Sequence, residues 1–148
     1  MTDDGGDERY QLHLLDLATA ASRPLAAAPG LIHNFGAWSA DGRLLSFAAS
    51  RRDVRFFDVW VINVETGEEF LVVQDDGMNA VGSFVPDGRT LPITRPNLDL
   101  PGDNDLYALP LDQGGQVPGR CVCSRHMRRM WRRNGVVCTW PTMARCSR

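Results

Sequence analysis

An internal repeat with an offset of 47 residues constrains this chain more than any other feature. Asp58-Val59-Trp60-Val61-Ile62-Asn63-Val64-Glu65-Thr66-Gly67 moved forward by 47 lands on Asp105-Leu106-Tyr107-Ala108-Leu109-Pro110-Leu111-Asp112-Gln113-Gly114. Moved back by 47, it lands on Gln11-Leu12-His13-Leu14-Leu15-Asp16-Leu17-Ala18-Thr19-Ala20. Apolar residues fill the positions of Val59, Val61, Ile62 and Val64 in all three copies. A second pattern recurs at an offset of 46: Gly36-Ala37-Trp38-Ser39-Ala40-Asp41-Gly42-Arg43 aligns with Gly82-Ser83-Phe84-Val85-Pro86-Asp87-Gly88-Arg89. A fixed period of this length means that one supersecondary unit is being stacked on copies of itself.

The unit is a four-stranded antiparallel sheet. Asp41-Gly42 and Asp87-Gly88 sit between apolar runs, and Asp-Gly in that setting turns a hairpin. Trp38 precedes the first turn, and Leu44–Ala48 follows it. Phe57–Val64 reads as a third strand, rich in β-branched and aromatic residues and apolar on both faces. Glu65-Thr66-Gly67-Glu68 turns the chain into a fourth, Phe70–Val73. Four up-and-down strands every 46–47 residues make one propeller blade. The fold class is therefore all-β, a partial β-propeller of about two and a half blades over residues 9–116. The chain enters late in one blade (Leu12–Leu17, Pro24–Ala27) and completes a second (Ile32–Gln74). It then supplies three strands of a third: Ala80–Val85, Arg89–Thr94 and Asp105–Leu111. Pro92 and Pro110 are expected to interrupt those last strands, because proline donates nothing to a ladder. Trp38, Asp41, Gly42, Trp60, Phe84, Asp87, Gly88 and Tyr107 are the structural residues of the blade motif, and the four aromatics are assigned to the core. The middle blade is expected to be the only one covered on both faces.

The segment Ile32-His33-Asn34-Phe35-Gly36-Ala37-Trp38-Ser39-Ala40-Asp41-Gly42-Arg43, with Arg51-Arg52-Asp53 and Phe56-Phe57-Asp58-Val59-Trp60-Val61, resembles the propeller of prolyl oligopeptidase-family serine peptidases. It also resembles TolB-like propellers, which share the Trp-Ser-x-Asp-Gly turn. The wording around Phe57 and Asp75-Asp76-Gly77-Met78-Asn79 favours the peptidase group. That resemblance covers residues 9 to 115. It implies a parent in which the propeller gates an α/β-hydrolase domain with a Ser-Asp-His triad. The Gly-x-Ser-x-Gly elbow of such a domain is absent from this sequence, so no catalytic residue is carried over. The chain is expected to be a non-catalytic fragment of a gating propeller, or alternatively a TolB-like module for protein–protein interaction. The partners so implied are the remaining blades, the hydrolase domain, and further copies of the chain through open blade faces.

Charge divides the chain in two. All 18 acidic residues lie at or before Asp112, whereas eight of the 16 basic residues, all arginine, follow Gly119 together with all four cysteines. There is no lysine. Residues 117–148 lack alternation, Asp-Gly turns and acids. They read as a frame-shifted or otherwise non-native tail, the arginine- and cysteine-rich text that GC-rich DNA gives in a wrong frame. Cys121, Cys123, His126, Cys138 and Cys146 have ligand chemistry for zinc but match no paired Cys-x-x-Cys framework, so no metal or other cofactor is expected. The run Arg125 to Arg133 with Trp131 has the chemistry to neutralise phosphate, but reads as a solvated basic stretch, and nucleic acid is not an expected partner. Asp99, Asp103, Asn104 and Asp105 have oxygens for Ca²⁺ and read as a turn. Ser39 and Ser83 read as turn or strand residues, and His33 as a hydrogen-bonding group between blades. No stretch has the apolar length of a membrane span. The acidic N-terminus lacks the basic and apolar regions of a signal peptide, which gives a cytoplasmic expectation.

Overall fold

The computed structural model describes residues 1–3, 5–97 and 102–117. The assignments made above for Asp99 and for the cysteine- and arginine-rich segment lie outside the described residues. Among the described residues, nine strands form three antiparallel sheets. The first holds β1 (Leu12–Leu15) and β2 (Ser22–Ala26). The second is a complete meander of β3 (His33–Trp38), β4 (Leu44–Asp53), β5 (Phe56–Asn63) and β6 (Glu69–Val73). The third joins β7 (Ala80–Val81), β8 (Thr90–Pro96) and β9 (Asn104–Pro110). No helix of the described residues is long and apolar enough to cross a membrane.

The turns repeat as the sequence does. Gly42 and Gly88 both take positive φ, 72° and 67°, where a side chain would be strained. The aspartate before each glycine ties the turn together, but with a different hydroxyl. In the first copy Ser39 donates its hydroxyl to Asp41 at 2.6 Å. In the second, the position of Ser39 is Val85, and Thr90 on the far side of the turn donates to Asp87 at 2.8 Å. The hairpins between third and fourth strands share another device. The side-chain oxygen of Asp16 accepts from the N–H groups of Ala18 and Thr19, and that of Asn63, 47 residues on, accepts from Glu65 and Thr66. In the third copy the register position is Pro110, which has no such oxygen. The role passes to Asp112, which accepts from Gly114 and Gln116.

Each blade has a leading face, toward the following blade, and a trailing face, toward the preceding one. The leading face of the first sheet presents Leu12, Leu14, Leu25 and Ala26 to Leu45, Phe47, Ala49, Ile62 and Val64 on the trailing face of the second. The leading face of the second presents Leu44, Val59, Val61, Val72 and Val73 to Leu91, Ile93, Tyr107, Leu109 and Leu111 of the third. The period explains the match: Leu12, Leu14, Leu25 and Ala26 plus 47 are Val59, Val61, Val72 and Val73. Alternation along β5 sends odd residues one way and even residues the other, so the middle sheet is covered on both faces, as expected. Val117, placed with the tail by the sequence, packs against the second of these junctions.

Three expectations change. Strand β8 runs through Pro92 instead of breaking there. The Pro92 carbonyl accepts from Gly82 N–H at 2.8 Å, so its ring nitrogen faces the same edge. The missing donor shortens β7, which ends at Val81, while the β8–β9 ladder continues through Pro92 and Ala108. Strand β4 reaches Asp53 rather than Ala48, because Asp53 pairs with Phe56 across the hairpin after a bulge. Finally, Trp38 is not core: it is 40% exposed. Its counterpart Phe84 packs against the core between the second and third blades, whereas Trp38 and Phe35 on β3 are both exposed. Trp60 is half-buried and Tyr107 is buried.

Candidate functional site

One end of the sheets gathers the β4–β5 hairpin, the β6–β7 connection and the end of β8, and an ionic network ties them together. Arg52, near the end of β4, donates Nε and Nη2 to the two carboxylate oxygens of Asp58, both at 3.1 Å. It also donates to Asp76 Oδ1 at 2.8 Å and to the Asp75 carbonyl at 2.9 Å. These acids raise the Arg52 pKa, chiefly through the hydrogen bonds to Asp58. The Asp58 side chain is only 3% exposed, and the Asp75 N–H also points at it, at 3.3 Å. Asp75 in turn pairs with Arg95 of the third blade. Asn79 closes the loop by donating to the Phe57 carbonyl at 2.8 Å. The network is thus a brace between the second and third blades. At its rim, Arg52 and Arg55 both lie over the Phe56 ring, at 4.9 and 5.1 Å. Arg55 grips Asp53 with two hydrogen bonds and holds that carboxyl well below the usual carboxylate range.

A second node lies on the trailing face of the same blade. Arg51 pairs with Glu69 through both its Nη atoms. Its guanidinium lies 4.7 Å from the Trp60 ring centre and 5.3 Å from that of Phe47, a cation over aromatic faces. Its Nε donates to His33 Nε2 at 3.3 Å. Burial, and then the charge of Arg51, push the His33 pKa below its ordinary 6.5. Between the folded and unfolded pKa values the unfolded chain binds more protons, so stability falls as pH falls through that window. The contribution is complete above about pH 6.5 and declines below it. Denaturant unfolding at pH 7.5 and 5.5 checks this: the midpoint is expected to drop at the lower pH, and to drop less in His33→Gln. An equal drop in both proteins would remove His33 from the account.

The candidate catalytic groups are otherwise engaged. His33 meets an arginine, not a hydroxyl. Ser39 Oγ serves the Asp41 turn and the backbone of Leu44. Ser83 lies exposed just after β7. Asp103 accepts from the N–H of Asn104, and Asp105 accepts from Asn97 and Tyr107. Among the described residues, no group of three or more His, Cys, Asp or Glu is placed to hold a metal ion. The sequence reading singled out Asp58 only as part of a motif and missed Arg51, Glu69 and Arg95 as network members. The adjacent arginines in Arg51-Arg52-Asp53 were the available signal, since neighbours on a strand face opposite sides and so serve two different nodes.

Against known structures, the chain is similar to TolB from Acinetobacter baumannii, with a TM-score of 0.58 and 21% sequence identity over 75% of this chain. The fold is that of a β-propeller. The match covers 26% of the TolB chain, so this protein spans about a quarter of that propeller protein's length. No protein-family model matches the chain, and no curated protein matches it.

Proposed function

We propose that this chain is a non-catalytic, TolB-like propeller segment that acts as a protein-interaction module. The observation that carries the reading is where its large apolar side chains are exposed. Leu15 and Leu17 on the first blade, and Leu106 on the third, are 54, 89 and 48% exposed. They occupy positions that, one period away, are packed blade against blade. Apolar surface left open at such positions marks an interaction site. The non-catalytic part rests on the engagement of His33 by Arg51 and of Ser39 by its own turn, so that neither hydroxyl nor imidazole is placed against the other among the described residues. Purified chain is expected to turn over no aminoacyl or prolyl chromogenic substrate. Turnover that disappears on substituting a residue of this chain would sink the reading.

A second reading is the gating propeller of a prolyl oligopeptidase-like peptidase, with an α/β-hydrolase domain as partner. It rests on the resemblance of Ile32–Arg43, Arg51–Asp53, Phe56–Val61 and Asp75–Asn79 to that family; the last three of these segments contribute to the braced loop network. Sequencing the flanking DNA in all three frames separates the two. A downstream Gly-x-Ser-x-Gly with a later Asp and His supports the peptidase, and further blades followed by a stop support the interaction module.

A further inference from the structure

We infer that the outer edge of β6 is a strand-pairing surface, and that its partner is the same edge of a second copy of the chain, joined antiparallel about a two-fold axis at Leu71. β6 is the outer strand of the complete sheet, and among the described residues it pairs only with β5. This edge is independent of where the chain begins or ends, because the four-stranded meander is whole and the chain leads on from β6 into β7 of the next sheet. The ladder fixes which groups face outward. Asn63 N–H donates to the Glu68 carbonyl at 2.9 Å, and bonded and non-bonded pairs alternate along an antiparallel ladder. Val61 with Phe70 is therefore the next bonded pair, and Glu69 and Leu71 turn their N–H and C=O groups away from β5. The first blade repeats this register 47 residues earlier. Asp16 N–H donates to the Ala21 carbonyl at 2.9 Å, so Ser22 and Pro24 of β2 face outward. There the position of Leu71 is a proline, with no N–H to offer, and the position of Phe70 is Arg23. Proline and charge are devices that keep an edge from pairing. β6 has neither at those positions, and its run Phe70-Leu71-Val72-Val73 is wholly apolar. Charge then selects the register of a second copy. With Leu71 opposite Leu71, Phe70 of one copy meets Val72 of the other, Glu69 meets Val73, Glu68 meets Gln74 and Thr66 meets Asp76. No acid opposes an acid, and an aromatic opposes a β-branched residue, a favourable cross-strand pair. Moving the centre by one residue either way sets an acid opposite Asp75: Glu65 when the axis is at Phe70, Glu69 when it is at Val72. Like charges directly opposite are destabilising, so the axis stays at Leu71.

The interaction-module reading rests on other residues, and the full chain separates the two. In sedimentation velocity, wild-type mass is expected to double with concentration and to stop there, because a two-fold contact uses the β6 edge of both copies. Hydrogen exchange at the Leu71 N–H is expected to slow as the dimer forms. Leu71→Pro installs the residue that the first blade carries in the same register, so it is expected to keep the wild-type circular dichroism and to stay monomeric. Leu71→Lys keeps the N–H but sets like charges opposite each other at the axis, and is also expected to stay monomeric; it decides the matter if the proline variant does not fold. Leu15→Arg, on a blade face, is expected to dimerise as wild type does. Wild-type protein that is monomeric at every concentration overturns the inference and leaves the interaction-module reading standing, with a different protein as its partner. A folded Leu71 variant that dimerises as wild type does, a Leu15→Arg variant that does not dimerise, or a dimer whose Leu71 N–H exchanges as fast as in the monomer also overturns it, since the contact then lies elsewhere.

Discussion

Phe47→Ala is expected to cost about 3–5 kcal/mol of folding stability, the range for emptying a core aromatic site. Phe47 is fully buried and sits in the junction of the first and second blades. It is paired across the strands with Trp60. Its ring also carries Arg51 and lies 5.9 Å from His33, so the substitution opens a cavity and removes one of the surfaces that orient the Arg51–Glu69 pair. The surrounding strands belong to two sheets and cannot both collapse into the gap. Against a typical net stability of about 5–15 kcal/mol, a loss of this size is a large part of the whole. Urea unfolding measures it, with Leu15→Ala as the exposed control, expected to change stability by less than about 0.5 kcal/mol. A Phe47→Ala effect no larger than the control would mean that the first blade does not pack where the structure puts it.

Arg52→Ala is expected to cost about 3 kcal/mol, because it strips the cation from the Asp58 carboxylate and leaves that charge buried. The guanidinium side of the pair is 32% exposed, so water recovers part of the loss and the figure sits at the low end for broken buried pairs. The charge left behind is the larger penalty. Arg52→Ala combined with Asp58→Asn is therefore expected to be less destabilised than the sum of the two single changes, by about 1–2 kcal/mol. Additive effects in that double-mutant cycle would show that the brace between the second and third blades is not held by this pair.

The parts of the fold legible in the sequence are those set by local chemistry. Asp41-Gly42 and Asp87-Gly88 announce hairpins because only glycine takes their backbone geometry without strain. The unbroken apolar run Val59–Ile62 announces a strand buried on both sides. Two such signals, recurring at offsets of 46 and 47 residues, were enough for the blade, its strand order and the doubly covered middle sheet. What escaped depends on distance or absence. Arg51 meets Glu69 and His33, each 18 residues away, and Arg95 meets Asp75 across two blades; a charged residue does not advertise a partner so far along the chain. Trp38 reads as core because its type and position are those of Phe84, but aromatic type at a blade-motif position does not say what packs on it, and it is 40% exposed. Pro92 reads as a breaker because the sequence does not say which edge its nitrogen faces. Asp112 takes the turn role from Pro110 two residues off register, a shift that a fixed period hides.

Hydrogen exchange across the full chain tests the central claim most directly, that two and a half stacked blades share one sheet covered on both faces. Protection follows the free energy of local opening. The slowest amides are expected in β4 and β5, around Phe47, Val59, Val61 and Ile62, which touch both junctions between them. The strands β1 and β9, each with one face open, are expected to exchange faster. Equal or greater protection in β1 or β9 than in β5 would contradict the account, because the outer sheets would then be covered as fully as the middle one.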